Sequence, residues 1–127
     1  MTARIAAAAR HAPGARDGAG QGADVEAPAT VLYLVRHGET AWNRTGRLQG
    51  SRDLPLNEAG RRQAAALAEH FRARSISAAY SSPLRRARET AGAILAGRDV
   101  PVQVLPDLAE MRCGAWEGLD AAERERR

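Results

Sequence analysis

The chain has 127 residues and a mass of 13.6 kDa, enough for one domain and too few for two. Hydrophobic residues make up 44% and charged residues 27%, and no apolar run approaches the roughly 18–20 residues of a membrane-spanning helix. A single cysteine, Cys113, excludes an internal disulfide framework and an all-cysteine metal site, so a reduced, cytoplasmic setting is expected. All 19 basic residues are Arg and the net charge is +4, but they are scattered among 15 acids. Two Trp, two Tyr and one Phe offer little for base stacking, so a nucleic-acid partner is not expected.

Residues 1–29 read as a disordered tail rich in Ala, Gly and Arg. Ile5 and Val25 are its only branched aliphatics, too few to offset the entropy of ordering it. Ile5–Ala9 is too short and too weakly apolar for the core of a secretory signal. The domain proper is expected over residues 30–127.

Val31–Val35 is a continuous apolar run, which suits a strand covered on both faces. Residues 38–56 read as a long polar loop, a length that is usually functional or disordered. Asn57 is an N-cap for a helix through about Arg74, with Ala64, Leu67, Ala68 and Phe71 on one face. Ile76–Tyr80 is a second strand. Ser82 then caps a helix with Pro83 at its first position. Leu84, Ala87, Ala91, Ile94 and Leu95 form its buried stripe, and Gly97 stops it. Val102–Leu105 is a third strand, and Gly118–Arg127 a charged helical fragment. Strand-helix-strand-helix-strand predicts an α/β fold with parallel strands and right-handed crossovers. Ligands bind beyond the carboxyl ends of such strands, where residues 36–50, 81–86 and 107–118 fall.

Arg36-His37-Gly38 leaves the first strand and enters the long loop. A neutral ring nitrogen of His37 can attack phosphorus, and Arg36 offers a bidentate fork for phosphoryl oxygens. Gly38 lets a ligand approach the backbone. As three letters the motif is weak, because a lone His at a strand end is more often structural. Arg86 lies in the first turn of a helix, where the dipole favours an anion. Glu39 and Glu117 read as loop-structuring, Arg85 and Arg88 as solvated, Ser81 and Ser82 as capping groups, and Trp42 and Trp116 as packing anchors. His11, His70 and Cys113 are poor catalytic candidates.

Three stretches change the weight of Arg-His-Gly. The first runs from Leu34 to Asn43, then Arg47-Leu48-Gln49-Gly50, Asp53–Asn57 and Gly60. The second is Tyr80–Ala87 with Glu89-Thr90-Ala91, and the third is Leu108-Ala109-Glu110 with Gly114–Gly118. Together they resemble the histidine phosphatase superfamily, the phosphoglycerate mutase-like enzymes, over about residues 31–118. That resemblance implies a three-layer α/β/α fold, present here only as its N-terminal half. It implies a phosphomonoester hydrolase in which His37 becomes phosphorylated, Arg36 and Arg86 hold the phosphoryl oxygens, and Glu110 is the general acid and then the base. Asn43, Gln49 and Gly50 would line the substrate pocket. No metal and no cofactor is implied, and the partner is a small phosphate ester. Arg47–Gly50 resembles the phosphatase branch more than the mutases. Mutase-type phosphotransfer is one alternative, and a non-catalytic, phosphate-binding remnant is the other.

The resemblance also implies a second site histidine on a later strand, lying between the first two strands of this chain. Arg127 comes before any such strand, so a truncated member of reduced or no activity is expected, in which the strands near 31–36 and 76–81 face a gap or pair directly.

Overall fold

The computed structural model describes residues 4–10, as backbone, and residues 29–127. Among these, one sheet is built from β1 (Arg4–Arg10), β2 (Thr30–Arg36), β3 (Ala78–Ser81) and β4 (Val102–Val104), in the spatial order β2-β1-β3-β4. β3 and β4 pair in parallel, with Tyr80 opposite Gln103. β1 runs antiparallel to both neighbours, placing Ala6 opposite Leu34 on one side and Tyr80 on the other. β2 and β3 therefore point the same way, as the alternation of elements predicts.

The gap expected between those two strands is thus occupied, and by a segment read from the sequence as tail. For residues 4–10 that reading needs correction. The seven residues contain neither Gly nor Pro, so nothing in them breaks an extended backbone. Unpaired amides along two inner strand edges cost enough to recruit even a weakly β-prone segment. Residues 1–3 and 11–28, His11 included, lie outside the described residues.

Helices α1 (Ala41–Arg44), α2 (Glu58–Phe71), α3 (Arg85–Leu95) and α4 (Ala121–Glu125) complete the regular elements, with 3-10 turns at Pro106–Leu108 and Gly114–Trp116. α2 and α3 pack on one face of the sheet. Their Phe71, Ala87, Ala91, Ile94 and Leu95 meet Val35, Ile76 and Ala79, with Tyr33, Leu67, Val100 and Val102 at the margin. Tyr33 stands edge-on to Phe71, ring centres 5.1 Å apart. Period-two alternation turns Leu32 and Leu34 to the other face, where they are 56% and 59% exposed. β2 is therefore covered on one face only, which corrects the expectation of a strand covered on both.

Asn57 caps α2 as predicted, its side chain accepting from the Gly60 amide. α3 starts two residues later than predicted. The Ser82 hydroxyl accepts from the Leu84 amide at 3.3 Å and closes a turn, Pro83 lies in that turn, and Leu84 is the N-cap without a side-chain bond. Arg86 still falls in the first helical turn. The predicted 38–56 loop contains α1, closed by a capping box between Thr40 and Asn43. Among the described residues, no helix is long and apolar enough to cross a membrane.

α2 is held against the loop after β2 by a close backbone approach. A Cβ at Gly38 would lie 2.5 Å from the Gly60 carbonyl oxygen, and a Cβ at Gly60 would strike the Glu39 backbone. Two effects of Gly60→Ala therefore oppose each other. Helix propensity favours Ala by up to about 1 kcal/mol. Overpacking against rigid backbone costs about 1–3 kcal/mol. Net destabilisation is expected, read as a lower urea midpoint at an unchanged m-value.

β1 yields a second prediction. A chain beginning at Thr30 exposes the inner edges of β2 and β3. Its urea transition should broaden and move to lower concentration, and amide protection at Tyr33 and Tyr80 should fall, relative to the full chain. An unchanged transition would assign β1 no share of the stability.

Candidate active site

The carboxyl end of β2 delivers Arg36 and His37. His37 is 8% exposed, and its Nδ1 lies 2.7 Å from the Gly38 carbonyl oxygen. A carbonyl only accepts, so Nδ1 carries the proton and Nε2 is the ring nitrogen with the free lone pair. The Gly38 amide donates to the Thr90 hydroxyl at 3.0 Å, which itself donates to the Arg86 carbonyl at 2.7 Å. Strand end and helix are thereby joined directly below the histidine.

Arg86 is 1% exposed. Its Nη1 donates to the Arg52 carbonyl at 2.6 Å and its Nη2 to the Gly50 carbonyl at 2.9 Å. Its Nε is buried without a hydrogen-bond partner. Burial lowers the Arg86 pKa from its ordinary value, opposed by the Glu110, Asp53 and Glu117 carboxylates. A guanidinium remains charged at neutral pH regardless.

One cavity of about 330 Å³ gathers the predicted residues: Arg36, His37, Asn43, Gln49, Gly50, Arg86 and Glu110 all line it. Arg47 and Arg124 are also on its wall, Arg47 paired with Glu123 at 3.1 Å, so Arg36, Arg86 and Arg124 stand against Glu110. With His37 neutral, the wall carries a clear excess of positive charge, as a dianion would require. The Glu110 Oε1 accepts from the Met111 amide at 3.1 Å. Among the described residues, no three His, Cys, Asp or Glu side chains cluster as a metal ion would need.

A family model described as the histidine phosphatase superfamily (branch 1) matches residues 32–127. The chain belongs to this superfamily.

Similar proteins include a metal-independent phosphoserine phosphatase of Arabidopsis thaliana, 43% identical over 106 residues that make up 80% of this chain and 44% of the relative. An adenosylcobalamin/α-ribazole phosphatase of Salmonella typhimurium is 46% identical over 86 residues, 68% of this chain and 43% of the relative. Among solved structures, a phosphoserine phosphatase of Entamoeba histolytica in complex with 3-phosphoglyceric acid matches with a TM-score of 0.63 and 39% identity. That match covers 70% of this chain and 44% of the other. The chain thus spans about half the length of the relatives it matches, and its fold is an incomplete phosphoglycerate mutase-like α/β fold.

Against that family pattern, the polar residues at the site divide into two groups. Asn43 lines the cavity, but its Oδ1 accepts from the Thr40 amide at 3.0 Å and so maintains α1. Gln49 likewise accepts from the Thr40 hydroxyl at 2.8 Å. Glu39 is loop-structuring, accepting from Asn57 Nδ2 at 2.7 Å while its amide donates to Gln63. Trp42 packs over Gly118, but Trp116 is 54% exposed on the cavity wall, so the reading of it as a packing anchor needs correction. The sequence reading assigned no site role to Thr90, Arg47 or Arg124. Thr90 and Arg47 sat inside the quoted motifs. Nothing in the pattern marked Arg124, on the fragment read as merely charged.

The His37 pKa is lowered below 6.5, first by burial and then by the Arg86 and Arg36 charges, against its bond to the Gly38 carbonyl and the Glu110 charge. The imidazole is therefore neutral at pH 7. Its contribution to stability is complete above 6.5 and is lost as pH falls through the folded-state value, because the folded chain then has to accept a charge the unfolded chain accepts more readily. An NMR titration of the His37 ring should give a midpoint below 6.5. A midpoint above 6.5 would contradict the electrostatics of the site.

Proposed function

We propose that this chain carries the phosphoryl-binding and nucleophilic part of a phosphomonoester hydrolase that works through a phosphohistidine. The observation that carries the reading is a buried histidine with a free Nε2 on a cavity lined by four arginines and Glu110. Arg36 and Arg86 bind the phosphoryl oxygens of a small phosphate ester. The orphan Nε–H of Arg86 is a buried donor in want of an acceptor, and a phosphoryl oxygen is the acceptor its neighbours would attract.

The His37 Nε2 lone pair attacks phosphorus in line with the ester oxygen. The phosphorus–oxygen bond breaks, and Glu110, which takes up the proton of a monoanionic ester as it binds, gives that proton to the departing alcohol. Glu110, now a carboxylate, takes a proton from water, which attacks the phosphohistidine and releases phosphate, returning His37 to its starting state. The transition state needs positioning and charge stabilisation, both of which fixed guanidinium groups supply. No metal or cofactor enters these steps.

The half-length coverage of the relatives favours a second reading, a chain that binds phosphate without turnover. A single design separates the two. Full-length chain is incubated with p-nitrophenyl phosphate, and nitrophenolate release is followed alongside inorganic phosphate binding. Hydrolysis is expected, with a loss of at least about 10³-fold in His37→Ala and about 10²–10³-fold in Arg86→Ala. Phosphate binding without release would select the second reading. Full turnover by His37→Ala would remove His37 as nucleophile. A phosphohistidine that transfers to an added alcohol faster than to water would point to mutase-type phosphotransfer instead.

A further inference from the structure

Glu117 takes no part in the chemistry above, yet its side chain is only 6% exposed. Its Oε1 accepts from the Ser51 amide at 2.8 Å, the Ser51 hydroxyl at 2.9 Å and the Cys113 amide at 3.1 Å. Its Oε2 pairs with Arg52 Nε at 3.1 Å. Gly50 has φ +52, and a Cβ there would collide with the same carboxylate oxygen. The turn from Gly50 to Arg52 is therefore wrapped on one carboxylate contributed from 65 or more residues away.

The carbonyls of that turn have a second partner. Those of Gly50 and Arg52 are the two acceptors for the Arg86 guanidinium. Core packing of Ala87, Ala91 and Ile94 fixes the backbone of α3 but does not choose among the rotamers of a long Arg side chain. The two carbonyls do choose, and they can do so only while the turn holds them in place.

We infer that Glu117 is a positioning residue for Arg86: by anchoring the Gly50–Arg52 turn it aims two carbonyls that hold the guanidinium on the cavity wall. Its consequence for phosphate rests on the proposed function, whereas the restraint on Arg86 rests on the hydrogen bonds alone. The Glu117 carboxyl is held below its usual range, chiefly by the Ser51 amide and then by the Cys113 amide, the Ser51 hydroxyl and Arg52, against the opposing effect of burial. The anchor is thus ionised at neutral pH.

The test uses the full chain and reads two signals. The first is the ¹⁵N–¹H guanidinium spectrum, with Arg86 identified from its loss in Arg86→Ala. Two carbonyl bonds hinder guanidinium rotation, so Arg86 should give resolved Nη signals that collapse in Glu117→Ala. In Glu117→Gln, which keeps an acceptor oxygen, they should persist. The second is inorganic phosphate affinity, expected to fall at least about tenfold in Glu117→Ala, the loss of one hydrogen bond to a charged group. It should fall by less in Glu117→Gln. If Glu117→Ala does not fold, Glu117→Asp, one methylene short of the turn, replaces it with the same expectations.

Unchanged Arg86 signals in a folded Ala or Asp variant would overturn the inference whatever phosphate does. So would the absence of resolved Arg86 signals in the unsubstituted chain. Signals that collapse as expected in a chain that never binds phosphate would support the positioning role and overturn the proposed function instead.

Discussion

A buried guanidinium is the constraint around which this structure is arranged. Taking the Arg86 charge out of water is costly unless hydrogen-bond acceptors replace the lost hydration. The structure supplies two, the carbonyls of Gly50 and Arg52. Those carbonyls belong to a loop with no regular structure of its own, so the loop has to be held in turn. Glu117 holds it from one side. The Gln49 side chain, bonded to the Thr40 hydroxyl, ties it to the start of α1 on the other. Much of the irregular chain between β2 and α2 therefore has its conformation explained by one cation.

The same helix couples this polar arrangement to the hydrophobic core. Residues four apart share a helix face, and α3 presents Arg86 and Thr90 along one line and Ala87, Ala91 and Leu95 along the next. Both lines are buried. The apolar line sets the height of the helix over the sheet, and the polar line converts that height into positions for Arg86 and, through Thr90, for the Gly38 amide beside His37. Packing thus reaches His37 through one hydroxyl. A change at Ile94 or Ala91 would be felt at the site even though neither side chain lines the cavity.

Much of this was legible in the sequence because it is local. Asn57 and Gly60 stand at capping spacing, Val31–Val35 is an unbroken apolar run, and the stripe from Leu84 to Leu95 has helical period; each becomes the element predicted. The readings that failed depend on competition or distance. Ser82 has the chemistry of an N-cap, but its hydroxyl is committed to a turn with Leu84, which moves the helix start. Thr40 and Asn43 form a capping box too short to register inside a polar loop. β1 has alanines where strands prefer branched residues, and only its two non-local neighbours make it a strand. Glu117 could be read as loop-structuring, but not which loop, because Ser51 is 66 positions away.

The described structure also divides the molecule by how well each part of the site is held. Arg86, the 49–52 turn and Glu117 restrain one another through bonds that lie wholly within residues 49–117. His37 depends on more. Its strand is at the edge of the sheet, is paired on one side only, and leaves Leu32 and Leu34 open on one face. Two contacts beyond the strand keep the histidine in register: the Gly38 bond to Thr90, and the backbone approach of Gly38 to Gly60. Both act on Gly38, the residue after His37, and both come from the well-packed helices α2 and α3. The position of Arg86 is therefore set by its own hydrogen bonds, whereas that of His37 is set by two helices and by the pairing of β1 with β2. Loss of that pairing would disturb the position of His37 before it disturbed that of Arg86, so phosphate binding should outlast phosphoryl transfer when the sheet is weakened.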